Sequence, residues 1–106
     1  LALFYIHSEY NKDLSVQEIA DKVNLERCYF SRLFKSQTGM SPATYIRRYR
    51  LKRAAELMRL AGAKPSVAAY SVGYNDIFYF SKIFKQQFGV SPREYIKQPT
   101  SYDIIE

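Results

Sequence analysis

The sequence predicts an all-α fold in which two similar helical units are joined by a central helix. The stretch 28–47 is repeated at 78–97, with eleven identical residues among the twenty aligned pairs. Within each copy, apolar residues recur at the three- and four-residue spacing of an amphipathic helix. Each copy also carries a glycine and a serine–proline pair where helices end and begin. Two copies are too few for a solenoid, so we expect a pseudo-symmetric pair.

The first unit opens with a short helix predicted within residues 14–25. Ser15 and Glu18 have the spacing of a capping box, and apolar residues follow at helical spacing. Asn24 comes next, and asparagine tolerates the positive φ that a tight turn requires. We therefore expect a helix that begins at this serine and ends in a turn at this asparagine.

A second amphipathic helix follows that turn. Phe30, Leu33 and Phe34 share one face, which we expect to be buried. Gly39 predicts the helix end, because glycine adopts the left-handed conformation without a Cβ clash. The opposite face is polar and partly basic. It carries Arg27, Cys28, Ser31, Arg32 and Lys35.

Residues 42–60 predict one long central helix. Ser41 and Pro42 suit its N-cap and first helical position. Arg, Lys, Ala, Glu, Leu and Met dominate the segment, and all are good helix formers. At a rise of ~1.5 Å per residue it would span roughly 28 Å, and AGAKP then breaks it. Such a rod can hold two units at a fixed distance.

The second unit repeats this order. Gly73 stands at its turn, which is one residue longer than the first. The following helix turns Phe80, Ile83, Phe84 and Phe88 inward and ends at Gly89, after which a serine–proline pair starts a last helix. The outward face of the second amphipathic helix is more apolar than that of the first. It carries Ile77, Phe78, Ser81, Lys82 and Lys85.

A short helix, a tight turn and a second helix with a polar outer face form the pattern of a helix-turn-helix motif. We therefore divide the chain into four segments. They are a first helix-turn-helix module (1–41), a central linker helix (42–60), a second module (61–97) and a C-terminal tail (98–106). The sequence of the tail offers no interpretation.

Charge gives a first indication of function. Sixteen Lys and Arg against ten Asp and Glu give a net charge of +6, and residues 26–60 hold nine basic but only two acidic side chains. A basic middle is expected of a surface that binds a polyanion. Charge alone fits a solvated helix face equally well.

Composition argues against several classes of protein. One cysteine excludes an internal disulfide and a multi-cysteine zinc site, and it suits a reducing compartment. No apolar run approaches the ~20 residues of a membrane span. The chain carries no phosphate-binding glycine loop and no HExxH, and the lone His7 and Cys28 fall on different helices. We therefore expect no enzyme activity, no metal, no cofactor and no membrane contact, and a cytoplasmic location.

Four stretches resemble the DNA-binding domain of AraC-type bacterial transcription factors. They are VQEIADKVNL, YFSRLFKSQTGMSPATYI, RLKRAAELM and VGYNDIFYFSKIFKQQFGVSPREYI, and the resemblance covers about residues 3–97. It implies seven helices, with the recognition helices of the two modules in successive major grooves of promoter DNA. It also implies activation through RNA polymerase and a separate sensing or dimerisation domain. Because the chain opens on Leu1, we expect it to be part of a longer protein.

Residue by residue, the resemblance implies two sets of DNA contacts. The set assigned to base reading comprises Arg27, Cys28, Ser31, Arg32, Ile77, Phe78, Ser81 and Lys82. The set assigned to phosphate comprises Ser15, Tyr29, Lys35, Arg47, Arg48, Tyr79 and Lys85. Glu26 departs from the family pattern, because it stands where a capping serine is usual and places a carboxylate near DNA.

Some of these residues have alternative roles. Tyr29 and Tyr79 are expected to pack with free hydroxyls, and a phosphate bond is the alternative. Four arginines of the central helix could form a solvated face, but we expect one or two to reach phosphate and at least one to bond within the fold. They are Arg47, Arg48, Arg50 and Arg53.

Two further alternatives concern function. The apolar pair Ile77 and Phe78 either meets thymine methyl groups or contributes little sequence reading. The whole chain could instead be a protein-interaction module whose basic face meets an acidic partner. Salt-dependent binding to random duplex DNA distinguishes a DNA-binding domain from that module and from an enzyme.

Overall fold

The computed structural model describes residues 1–98, so the predicted tail lies outside the described residues except for Gln98. Over this range the chain forms seven α-helices and no strand, which confirms the all-α prediction. The helices are α1 (Ala2–Glu9), α2 (Val16–Lys22), α3 (Arg27–Thr38), α4 (Pro42–Leu60), α5 (Pro65–Ser71), α6 (Ile77–Phe88) and α7 (Pro92–Lys97). None of these helices is both long and apolar enough to cross a membrane.

The predicted helix boundaries have the expected local chemistry. The backbone N–H of Glu18 donates to Ser15 Oγ at 3.1 Å, which caps α2. Ser91 and Glu94 form a complete capping box at the start of α7, with both bonds at 3.2 Å. α4 begins at Pro42, as the serine–proline signal predicted.

Both helix-turn-helix turns use a left-handed residue. Asn24 has φ 60° and Gly73 has φ 104°. Asparagine and glycine adopt left-handed backbone angles at low energetic cost. The two units therefore both have left-handed backbone angles at the turn, with a different residue in each. The predicted role of each in its turn is confirmed.

The chain divides into two compact units, the first formed by Leu1–Lys52 and the second beginning at Arg53. In the first unit, α1, α2, α3 and the start of α4 enclose one apolar core. Phe30 and Phe34 are both buried, with ring centroids 5.7 Å apart. Leu33 is half-buried rather than buried, because it lies to one side of the Phe30–Phe34 line. The buried members of this core are Ile6, Ile19, Ala20, Phe30, Phe34 and Ile46.

The second unit packs the end of α4 with α5, α6 and α7. Phe80 and Phe84 are fully buried, and the Phe84 ring lies against Tyr95 of α7 at 5.4 Å between centroids. The guanidinium of Arg59 donates to the main-chain carbonyls of Tyr95 and Gln98 and lies 4.3 Å from the Tyr95 ring. These contacts tie the C-terminal end of α7 to α4.

Candidate nucleic-acid interface

The N-terminus of α3 is fixed by the side chain that precedes it. The backbone N–H groups of Cys28 and Tyr29 donate to the Glu26 carboxylate at 2.9 and 3.1 Å. These bonds hold the pKa of Glu26 below its usual range, because they favour the charged form. Glu26 therefore caps α3 with its own side chain.

Beyond this cap, the outward face of α3 is open to solvent. Arg27, Cys28, Arg32 and Lys35 are exposed, and Ser31 is half-buried. All five side chains predicted to face outward therefore have surface available for a ligand, and three of them are cations.

α6 begins in the same way, with a cap that the sequence analysis did not identify. The backbone N–H groups of Phe78 and Tyr79 donate to Asp76 Oδ1 at 3.0 and 3.2 Å. Aspartate is among the strongest N-cap residues, so its place before the helix was a usable signal. α3 and α6 are both 12 residues long and both end at a left-handed glycine. The two helices are thus equivalent in length and termination.

The outward face of α6 is more apolar than that of α3. Lys82 and Lys85 are exposed, whereas Ile77 and Ser81 are half-buried. The side chain of Phe78 is 85% exposed, which is more than any other aromatic residue among the described positions. A large aromatic side chain therefore lies in solvent at the start of this helix.

A groove of about 480 Å³ runs along this face within the second unit. Its walls come from the starts of α5 and α7, where Lys64 and Arg93 supply exposed positive charge. Neither residue was predicted to contact DNA, because only tertiary packing brings the three helix starts together. Six of the groove-lining residues are Lys64, Ser66, Ile77, Phe78, Ser81 and Arg93.

The residues predicted to contact phosphate have different surroundings. The hydroxyl of Ser15 accepts the cap bond from Glu18 and lies 3.2 Å from the Glu18 carboxylate, so it is already engaged. Tyr29 and Tyr79 are 49% and 48% exposed, and the Tyr79 ring lies 6.1 Å from that of Tyr74. Both tyrosines are therefore partly packed, and both keep surface that a phosphate could reach.

At least two of the arginines of α4 named in the sequence analysis, Arg50 and Arg53, bond to other groups of the protein. Arg47 and Arg48 are exposed. Arg50 donates to the main-chain carbonyls of Tyr10 and Lys12 at 2.7 and 2.8 Å and so anchors the segment after α1. Arg53 pairs with Glu56 on its own helix at 2.7 Å. The prediction that at least one of these arginines bonds within the fold is confirmed.

The lone histidine and the lone cysteine occupy different surroundings in the first unit. His7 Nε2 lies 2.7 Å from the Tyr45 hydroxyl, and its ring stacks on Tyr49 at 4.4 Å. Cys28 is exposed on α3. Among residues 1–98, no three or more His, Cys, Asp or Glu side chains are grouped so that they could hold a metal ion.

Known proteins are similar to this chain in sequence. A family model described as a helix-turn-helix domain matches residues 11–98. The Msm operon regulatory protein of Streptococcus mutans is 39% identical over 71 residues, which are 67% of this chain and 26% of that protein. The lactose operon transcription activator of Staphylococcus xylosus is 34% identical over 75 residues, 71% of this chain and 27% of the activator. The chain thus spans about a quarter of the length of these relatives.

The fold is also found in solved structures. A transcriptional regulator from Chromobacterium violaceum, described as containing an AraC-type DNA-binding domain, superposes with a TM-score of 0.85 at 28% identity. The match covers 92% of this chain and 87% of that one. This likeness agrees with the AraC-type fold that the sequence resemblance implied. The chain therefore belongs to the AraC-type family of helix-turn-helix transcription regulators, which is a family of DNA-binding proteins and not a class of enzymes.

Proposed function

We propose that the chain binds promoter double-stranded DNA sequence-specifically, with α3 and α6 as recognition helices in successive major grooves. The observation that carries this proposal is the equivalence of the two helices. Each has 12 residues, a carboxylate cap at its start, and an open outward face with cations in its central turns. Helix-turn-helix proteins contact base edges with the N-terminal part of such a helix.

The outward residues of α3 supply hydrogen-bond donors to bases. Arg32 lies in the middle of the exposed face, and its planar guanidinium suits O6 and N7 of guanine. Arg27 lies at the helix start, and Cys28 and Ser31 complete the face. In the second module the corresponding residues are Ile77, Phe78, Ser81 and Lys82.

Phosphate contacts fix the orientation of each helix without reading sequence. Lys35 and Lys85 lie one turn beyond the reading residues, where each helix leaves the groove. The groove on the protein beside α6 adds two further cations, Lys64 and Arg93, at the starts of the neighbouring helices. The remaining proposed contacts are Tyr29, Arg47, Arg48 and Tyr79, together with the exposed Ser15, whose hydroxyl also caps α2.

In the longer protein this chain would act as the DNA-binding part of a cytoplasmic regulator, most simply an activator that contacts RNA polymerase. Residues 1–41 and 61–97 would be the two modules, with residues 42–60 as linker. The Staphylococcus xylosus relative is named a transcription activator, which supports activation rather than repression. The greater length of the relatives supports a separate sensing or dimerisation domain. The chain itself would bind and not catalyse.

Selection of bound sequences from a random duplex pool tests this proposal. The two modules follow each other along the chain, so we expect an asymmetric or directly repeated site. Its two contacted segments should lie about 10 bp apart, one helical turn. Binding should weaken as salt rises, because phosphate contacts release counterions. A pool without enrichment, or binding insensitive to salt, would contradict the proposal.

A further inference from the structure

Phe78 does not contribute to the hydrophobic core. It is the second residue of α6 and is 85% exposed. Burial of apolar surface lowers the free energy by roughly 25 cal/mol per Å² removed from water. The aligned position of the first module holds Cys28, which has a far smaller apolar surface. Folding alone therefore gives no reason for a phenylalanine at this position.

The groove that Phe78 lines brings apolar and basic side chains together. Ile77 is a second apolar residue of its lining, and Lys64 and Arg93 add two positive charges. The acidic side chains closest in sequence, Asp76 and Glu94, accept backbone bonds at the starts of α6 and α7. An occupant that carries both negative charge and an apolar group would match this surface.

The DNA major groove has this character at thymine. Phosphates border the groove, and the thymine 5-methyl is the apolar group that distinguishes thymine from cytosine on its floor. A phenyl ring has no hydrogen-bond donor or acceptor, so among base edges it gains most from that methyl. We infer that the second module selects thymine through its 5-methyl group and that Phe78 is the residue that recognises it. This inference rests on the proposed DNA binding.

Replacement of thymine by deoxyuridine tests the inference, because it removes the methyl and keeps base pairing. The probe is the duplex obtained by selection with the 106-residue chain, in which each thymine is replaced in turn. Wild-type binding should fall about fourfold at one or two thymines, the effect of one buried methyl-sized group. Phe78→Ala should bind the unmodified duplex less tightly and should show no further loss with deoxyuridine at those positions.

Two control variants make the comparison specific. Phe4 on α1 is another exposed phenylalanine, 75% exposed, and Phe4→Ala should keep the full response to deoxyuridine. Phe78→Leu retains an apolar side chain at this position, so this variant should retain part of the response to deoxyuridine. Both alanine substitutions are at exposed positions, so the folded state should tolerate them.

The outcomes separate this inference from the proposed function. Tight, salt-dependent binding that is indifferent to every deoxyuridine would overturn the inference and leave DNA binding intact. The same holds if Phe78→Ala responds to deoxyuridine as the wild type does, or if the selected site contains no thymine. Loss of all sequence preference in the original selection would instead count against the proposed function.

Discussion

The recognition helices of the two modules share the residues that fold them and differ in the residues assigned to base reading. Phe30 and Phe34 of α3 recur as Phe80 and Phe84 of α6, and all four are buried. Of the four base-reading positions in each helix, only the serine recurs. The other three pairs are Arg27 with Ile77, Cys28 with Phe78, and Arg32 with Lys82. Packing constrains the buried face of both copies in the same way, whereas the exposed face is free to differ.

The difference predicts unequal reading by the two modules. The face of α3 carries two guanidinium groups, which can make bidentate bonds to bases. The base-reading positions of α6 offer one lysine ammonium and two apolar side chains at the start of the helix. We therefore expect hydrogen-bond readout to dominate in the first module and apolar readout in the second.

The largest expected effects concern the shared, buried residues. Phe34→Ala and Phe84→Ala should each lower the free energy of unfolding by about 3–5 kcal/mol, because each leaves a cavity in an aromatic cluster. Chemical denaturation monitored by circular dichroism measures this loss. Phe78→Ala is the matched control, and its stability should stay within about 0.5 kcal/mol of wild type. Near-wild-type stability of both core variants would show that the buried faces are wrongly assigned.

The next largest effect separates the two reading faces. Arg32→Ala should cost about 1–3 kcal/mol on the selected duplex and much less on a scrambled one. Lys82→Ala should show the same pattern more weakly, because an ammonium lacks the planar fork of a guanidinium. Titrations of both duplexes with both variants give the comparison. Equal losses for Arg32→Ala on the two duplexes would remove Arg32 from the base-reading set.

A smaller effect should be common to both modules. Lys35 and Lys85 occupy the same position in the repeat, one turn beyond the reading residues. Lys35→Ala and Lys85→Ala should weaken binding to selected and scrambled duplexes alike. Each should also reduce the slope of log affinity against log salt by about one unit. An unchanged slope with altered sequence preference would mean that the lysine reads bases.

The smallest effect concerns the cap of α3. The backbone bonds from Cys28 and Tyr29 lower the pKa of Glu26 in the folded state, so the charged cap stabilises the fold at pH values above its unfolded pKa. This contribution to stability should disappear as the pH falls through the lowered pKa that Glu26 has in the folded state. Glu26→Gln should remove the pH-dependent part, which melting curves between neutral and acidic pH can detect. An identical acid dependence in wild type and variant would argue against the cap.

Local features of the fold could be predicted from the sequence, whereas features that depend on tertiary packing could not. Helix spacing, serine–proline starts and the residues at the turns are local, and they predicted the second helix of each unit closely. α1 has no clear stripe, because its buried Ile6 lies among exposed Leu3 and Phe4. That helix was therefore expected only through the family resemblance.

The candidate site shows the same division. The repeat aligned the outward residues of α3 and α6, and the structure places all of them at least partly at the surface. The groove beside α6 could not be predicted, because Lys64 and Arg93 come from helices that are adjacent only after folding. The bonds of Arg50 to Tyr10 and Lys12 join residues about forty positions apart, and no local pattern indicates them.

The central claim is that the residues in which the two recognition helices differ determine which bases each module reads. Transfer of the first set to the second helix tests it most directly, in the triple variant Ile77→Arg, Phe78→Cys and Lys82→Arg. We predict that a new selection from random duplexes will return a direct repeat, in which the second segment has changed to match the first. The buried phenylalanines are untouched, so the variant should melt close to wild type. Selection of the unchanged wild-type site by a folded triple variant would contradict the claim.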